Sequence, residues 1–271
     1  MRVFAEALPR AIPITLAVTT DATSNTTRYP FLANVMSPKM LTHACTGTLV
    51  DDDLVLAPAS CVSSLSNKAE PLPIVRVGTY ALDGKGGQAD YEERQTVEQR
   101  THERFTGDPT AGYDVSILRL DKPVKGRRPV RGFRSLRDVG KEDEAIMLGW
   151  FKASSIGPPA LSLQMITNIA LVDDDTCRTV FDKLPRGTIC AMPELRAHCE
   201  WDLGAPLLLC DKKTNTTTLA GFASFASPTC GQKNMPYVYV DLGGELLSWV
   251  EQKGLKNSKV EPETPQEHTE L

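Results

Sequence analysis

The segment RAHCEWDLGAPLLLC, Arg196 to Cys210, sets a cysteine, an acid, a glycine and a proline ahead of an apolar run. That order reads as a loop that bends into an apolar strand. Acyl transfer at such a bend needs a hydroxyl or thiol to attack, an imidazole to take its proton, and a carboxylate to orient the imidazole. The side chain after Asp202 is Leu203, which cannot attack a carbonyl. A second acid, Asp114, opens the apolar run of YDVSILRL, and a second cysteine-flanked segment, CTGTLVDDDLVLAPASCV, runs from Cys45 to Val62. In that segment Ser60 stands immediately before Cys61. The four histidines are His43, His102, His198 and His268, and none of them adjoins Cys61. The seven cysteines include no C-x-x-C pair. A zinc ribbon or thioredoxin-like centre is therefore not expected, and no metal or cofactor is implied.

These groups need elements to hold them. The chain has 271 residues, 41% hydrophobic and 24% charged, with 19 Gly and 19 Pro. That composition is globular, and helix-period patterns are scarce, which points to an all-β fold. Apolar or alternating runs recur between turns: YPFLANVM, TGTLV, LVLAP, PIVRVG, DVSILRL, AIMLGW, PLLLC, TTLAGFASF and PYVYV. Each reads as a strand, and their spacing predicts a barrel or sandwich. Asp51, Asp52 and Asp53 mark a turn, and Asp173 to Asp175 suit the start of a short helix. Leu242, Leu246, Trp249 and Val250 fall near helical spacing. From Lys253 to Leu271 the chain is polar and is expected to be a disordered tail.

The net charge of −4 argues against nucleic-acid binding, and no apolar run is long enough to span a membrane. The scattered cysteines fit either reduced core thiols or three disulfides with one thiol left over. Asn25-Thr26-Thr27 and Asn215-Thr216-Thr217 are glycosylation sequons, which together with the cysteines favours a secreted, extracellular protein. Residues 1–27 form a weak version of a signal or pro-like segment, with Arg2 and Arg10 flanking Glu6 and Pro9 before AIPITLAV. The basic run Lys122 to Arg137, KPVKGRRPVRGFRSLR, is either a surface for an anionic partner or a solvated connector between two halves split near residues 125–135.

Taken in order, three patches resemble the trypsin/chymotrypsin serine-protease family. CTGTLVDDDLVLAPASCV resembles its C-G-G-S-L…W-V-L-T-A-A-H-C, YDVSILRL its D-I-A-L-L-x-L, and HCEWDLGAPLLLC its C-x-G-D-S-G-G-P-L-x-C. MLGW (Met147–Trp150), GFASFAS (Gly221–Ser227) and PYVYVDL continue the match. The resemblance implies a domain over 28–252, built of two six-stranded antiparallel β-barrels with a C-terminal helix. It implies the disulfides Cys45–Cys61, Cys177–Cys190 and Cys199–Cys230. The family partner of the remaining cysteine falls at Ala145, so Cys210 is expected to be unpaired, whether buried and inert or linked to another chain.

The same resemblance implies a degenerate active centre. Of the triad positions only the carboxylate, Asp114, is kept; Ser60 stands in the imidazole place and Leu203 in the nucleophile place. Trp201 replaces the glycine that helps form the oxyanion hole, and Ala197 leaves no anionic specificity pocket. Asp202 lacks the new amino terminus that would pair with it after activation cleavage. His43 is expected either to pair with Asp202, as in uncut zymogens, or to lie at the surface. An enzyme is thus not expected. The local wording of RYPFLANV, RVGTYALDGKGGQADYEERQTVEQRTHERF and YDVSILRLDKPVK is similar to the inactive glucanase inhibitor proteins of oomycete plant pathogens. The implied function is inhibition of a host endo-β-1,3-glucanase through a protein–protein interface. Trp201 and Phe225 are its candidate exposed anchors. Alternatives are a cofactor or decoy role in a proteolytic cascade, an active endopeptidase, and a lectin-like polyanion binder using Arg127, Arg128 and Arg131.

Overall fold

The computed structural model describes residues 29–65, 71–83, 91–152, 158–193, 202–226 and 235–254. Six strands form the first half: β1 (Leu32–Met36), β2 (His43–Asp51), β3 (Leu54–Ala57), β4 (Ile74–Val77), β5 (Glu92–Thr101) and β6 (Ser116–Leu120). They pair antiparallel in the order β1-β2-β3-β6-β5-β4, and β1 pairing with β4 closes the barrel. β1 and β3 are buried along their whole length, as LANVM and LVLA suggest. β5 is different: within EERQTVEQRT only Thr96 is buried. Its backbone bridges β4 and β6, while its charges face water and pair across the wall, as in Arg76–Glu93 (2.8 Å).

The second half contains β7 (Asp143–Gly149), β8 (Gln164–Ile166), β9 (Ile169–Val172), β10 (Thr188–Pro193), β11 (Pro206–Asp211), β12 (Thr216–Ala226) and β13 (Tyr237–Asp241). The hydrogen-bonded order is β8-β7-β11-β12-β13-β10-β9. The two edge strands, β8 and β9, are separated only by Thr167 and by Asn168, whose φ of +56° is left-handed. One interrupted strand therefore serves both edges and closes this sheet covalently. Counted so, each barrel has six strands, and the two-barrel all-β fold holds.

Among the described residues three short α-helices complete the frame: α1 (Ala59–Leu65), α2 (Asp174–Arg178) and α3 (Glu245–Lys253). The Asp173 carboxylate accepts from the Thr176 N–H at 2.8 Å and caps α2. α3 buries Leu246, Trp249 and Val250. Trp249 lies against the His102 ring (4.9 Å) and donates its indole N–H to Glu103 (2.7 Å), so the end of the second half is docked onto the first. Leu32, Leu49 and Leu118 of the first barrel share one core cluster with Trp150, Leu208, Phe222 and Val240 of the second. Among the described residues no helix is long and apolar enough to cross a membrane.

Disulfides join Cys45 to Cys61 and Cys177 to Cys190. Cys199, Cys230 and residues 1–28 and 255–271, which include the expected signal-like segment and the expected disordered tail, lie outside the described residues. Cys210 is buried, one of its two expected states, but the residue expected opposite it, Ala145, is not its cross-strand neighbour. In the β7–β11 ladder Ala145 faces Leu209, and Cys210 faces Glu144. Opposed residues share a sheet face and neighbours alternate, so Cys210 and Ala145 point to opposite faces. Ala145 thus forms an apolar cross-strand pair with Leu209. Cys210 is a buried thiol one residue further along, 3.7 Å from the Thr217 hydroxyl.

The basic run lies in the connector between the barrels, and part of its charge is neutralised. Arg134 pairs with Asp143 at 2.7 Å and Arg137 with Asp174 at 3.0 Å. The Arg134 hydrogen bond holds the Asp143 carboxyl below its usual range.

Candidate functional site

Asp114 precedes β6 in the first barrel and is wholly buried. A lone carboxylate there would be costly, and donors from α1 and β12 meet it. The Ser60 backbone N–H donates to Oδ1 at 2.6 Å; the Ser60 hydroxyl (2.9 Å) and the Ser224 hydroxyl (2.6 Å) both donate to Oδ2. Ser60 lies in the first turn of α1, where backbone N–H groups have no intrahelical acceptor. Burial still pushes the Asp114 carboxyl above its ordinary range, against the lowering effect of the hydrogen bonds from Ser224, Ser60 and the Ala59 backbone. Ser224 was read from sequence only as part of a strand. Its role depends on a contact between residues 110 positions apart.

Two histidines fall among the described residues, and neither is bonded to Asp114. His43 opens β2, and its ring is held on both sides. Nδ1 lies 2.8 Å from the Asn34 side-chain oxygen, and Nε2 lies 3.1 Å from Asp202 Oδ1. The ring also stands edge-on to Trp150, with centroids 5.2 Å apart. His102 stacks on Tyr113 (4.8 Å), and its Nδ1 accepts the Arg104 N–H at 3.1 Å.

Asp202 is the second buried acid, 5% exposed. Besides His43 it accepts the Thr46 hydroxyl and the Trp150 backbone N–H (2.8 Å), so three groups from two segments, β2 and the end of β7, converge on it. The MLGW stretch of β7 is explained by this contact. A Cβ on Gly149 would lie 2.9 Å from Asp202 Oδ2, so only glycine lets the carboxylate close on Trp150. The Asp202 loop is further tied down by Thr46 N–H to Leu203 C=O (2.8 Å) and Gly204 N–H to Ala223 C=O (2.9 Å). Gly204 has φ +83°, and a Cβ there would meet the Thr46 carbonyl at 2.0 Å. Leu203 therefore sits at a rigidly held bend, partly buried against the first-barrel core. Beside it opens a cleft of about 340 Å³ lined by His43, Trp150, Lys152, Pro159, Asp202 and Leu203.

The two acids thus belong to different networks. Asp114 is occupied by serine hydroxyls and Asp202 by His43, Thr46 and Trp150. Among the described residues no imidazole reaches Asp114, and no group of three His, Cys, Asp or Glu residues could hold a metal ion. Ala197, His198 and Trp201 lie outside the described residues, as does Asn25. Phe225 is not the exposed anchor anticipated. It is half-buried, edge-to-face with Phe181 (5.5 Å, 88°), and packs on the cluster around Cys177 and Cys190. Asn215 is exposed in the turn between β11 and β12.

The family model described as Trypsin matches residues 18–250, which takes in both barrels and α3 as far as Val250. The chain belongs to the trypsin family. Trypsin epsilon of Drosophila erecta is 27% identical over 215 residues, covering 77% of this chain and 77% of that protein. A trypsin of Saccharopolyspora erythraea is 28% identical over 229 residues, covering 81% and 91%. Among solved structures, neuropsin, a serine protease expressed in mouse brain, superposes with a TM-score of 0.66 at 21% identity. The match covers 83% of this chain and 94% of that one. At that identity the superposition speaks for the fold alone. In this trypsin-family frame, Ser60 and Asp114 meet at one wall of the inter-barrel region, and the Asp202–Gly204 bend stands on β11.

Proposed function

We propose that this trypsin-family protein is secreted and non-catalytic, and works by binding another protein. One observation carries the reading. The Ser60 hydroxyl holds Asp114 where an imidazole would have to stand, and the bend between Asp202 and Gly204 presents Leu203. Acyl transfer by this architecture needs both missing groups. In subtilisin, a separate fold, loss of the whole triad costs about a million-fold in kcat. That corresponds to about 8 kcal/mol of barrier. Meanwhile the supporting frame is intact, with both buried acids satisfied and the loops pinned, which suits a rigid binding scaffold. The disulfides fit an oxidising, extracellular location.

The partner we assign is a host endo-β-1,3-glucanase, blocked by occlusion. The support is the similarity of the β1, β4–β5 and β6 wording to oomycete glucanase inhibitor proteins. An interface of about 1,600 Å² in total would be ordinary for such a complex. The test is titration of a purified plant endo-β-1,3-glucanase with the protein, following reducing ends released from laminarin. Saturable inhibition with a matching Kd from biolayer interferometry supports the reading. An enzyme that is neither bound nor slowed at micromolar protein refutes the assigned partner. Capture of an extracellular protease instead would favour the cascade role.

A further inference from the structure

Two sequence features that the proposed function leaves unused, the Asn215 sequon and the basic connector, meet at one groove. We propose that Asn215 carries an N-linked glycan whose first sugars lie in that groove. The proposal rests on the secreted location given above.

The local geometry supports attachment. Asn215-Thr216-Thr217 has no proline at its second position or after it. Asn215 lies in the turn between β11 and β12, outside the strand ladder, exposed and with φ +54°. The turn does not depend on its amide. Asp211 holds the bend by accepting the N–H groups of Lys213 (2.8 Å) and Thr214 (3.0 Å), while the Thr214 and Thr216 hydroxyls pair at 2.8 Å. Among the described residues the Asn215 amide makes no hydrogen bond, so substituting its nitrogen breaks none. Thr217 is turned inward, 3.7 Å from Cys210 Sγ. Its hydroxyl is open to a transferase before the β11–β12 hairpin closes, which is the state in which a chain enters the secretory pathway. After closure the Asn215 side remains outside.

The groove beside it has a volume of about 310 Å³ and is lined by Phe31, Arg128, Pro129, Arg131, Asn215 and Thr217, among others. The partly exposed Pro30 and Pro129 suit the apolar faces of pyranose rings. Guanidinium groups suit their hydroxyl and acetamide oxygens as pure donors. Arg128 has no ion-pair partner among the described residues, unlike Arg134 and Arg137 in the same connector.

The test uses the full chain in the Asn25→Gln background, secreted from insect cells behind a heterologous signal peptide. Glycan release by peptide amidase in heavy-oxygen water, with intact and peptide mass spectrometry, reads the site. The expected result is loss of one glycan mass and heavy-oxygen aspartate at position 215. The glycan is absent from Asn215→Gln and Thr217→Val and retained in Thr217→Ser. A secreted, folded protein with unmodified Asn215 overturns the proposal. Placement in the groove is read by phenylglyoxal modification of Arg128 before and after release from the native protein. A several-fold rise on release is expected, and an unchanged rate overturns the placement. Because the heterologous signal delivers the chain by itself, a bare Asn215 speaks against this site and not against the binding role. Glucanase inhibition tests that role separately.

Discussion

Asp202→Ala removes the acceptor on which His43 Nε2, the Thr46 hydroxyl and the Trp150 N–H converge. Thr46 is fully buried and Trp150 is 1% exposed, so neither donor turns to bulk water. A buried donor left unpaired costs about 1–3 kcal/mol, and three would sum to about 3–9 kcal/mol. Contacts in one network are not additive, and water can enter from the adjoining cleft, which favours about 3–5 kcal/mol. In a domain of this size that lowers Tm by about 6–20 °C. Asp202→Asn should behave differently. The amide oxygen can keep Thr46 and Trp150, while the NH₂ faces His43 Nε2. Its expected cost is within about 1.5 kcal/mol. Thermal unfolding followed by circular dichroism, with disulfides intact, separates the two. An alanine variant within about 1 kcal/mol of the parent, or an asparagine variant as unstable as alanine, would refute the argument that this bend is held by a converging buried acceptor.

His102 gives a pH dependence of defined sign. Burial is the largest cause lowering its pKa from 6.5; Arg104 and Lys253 act with it, and Glu103 and Glu245 oppose. The fold therefore favours the neutral ring. The associated stability is complete above pH 6.5 and is lost as pH falls from there through the depressed folded value. Urea midpoints should drop between pH 7.5 and 5, and His102→Phe should flatten that drop. Asp114 carries the opposite cost, because burial disfavours its ionised form at neutral pH. Asp114→Asn should unfold at an equal or higher temperature than the parent at pH 7 and leave partner binding unchanged in the same titration. The β7–β11 register predicts that Glu144→Cys cross-links to Cys210 under mild oxidation and Ala145→Cys does not. Thiol titration and non-reducing mass mapping read this directly.

Much of the barrel frame could be read in the sequence because its strands are apolar runs between turns. β1, β3, β6 and β11 bury nearly every residue, so their hydrophobicity announces them. β5 is nearly silent. Its side chains face solvent along most of EERQTVEQRT, and its place follows from backbone pairing with β4 and β6. The β8–β9 strand is hidden by the break at Asn168. At the site, Ser60 and Leu203 were found by position relative to cysteines and glycine, and Asp114 at the head of an apolar strand run; all are local landmarks. Asn34, Thr46 and Ser224 were not found, because a hydroxyl or amide gains its role only from what the fold brings opposite it. Cys210 shows the limit of motif reading. The extra leucine of PLLLC shifts the cysteine by one position, and in a strand one position reverses the face.

The account turns on whether this cleft can perform acyl transfer. A tagged fluorophosphonate, incubated with the purified secreted protein beside an active trypsin and followed by intact-protein mass spectrometry, asks that directly. The account predicts a full adduct on the trypsin and none on this chain at neutral pH. A stoichiometric adduct on this chain, abolished by Asp114→Asn, would contradict it.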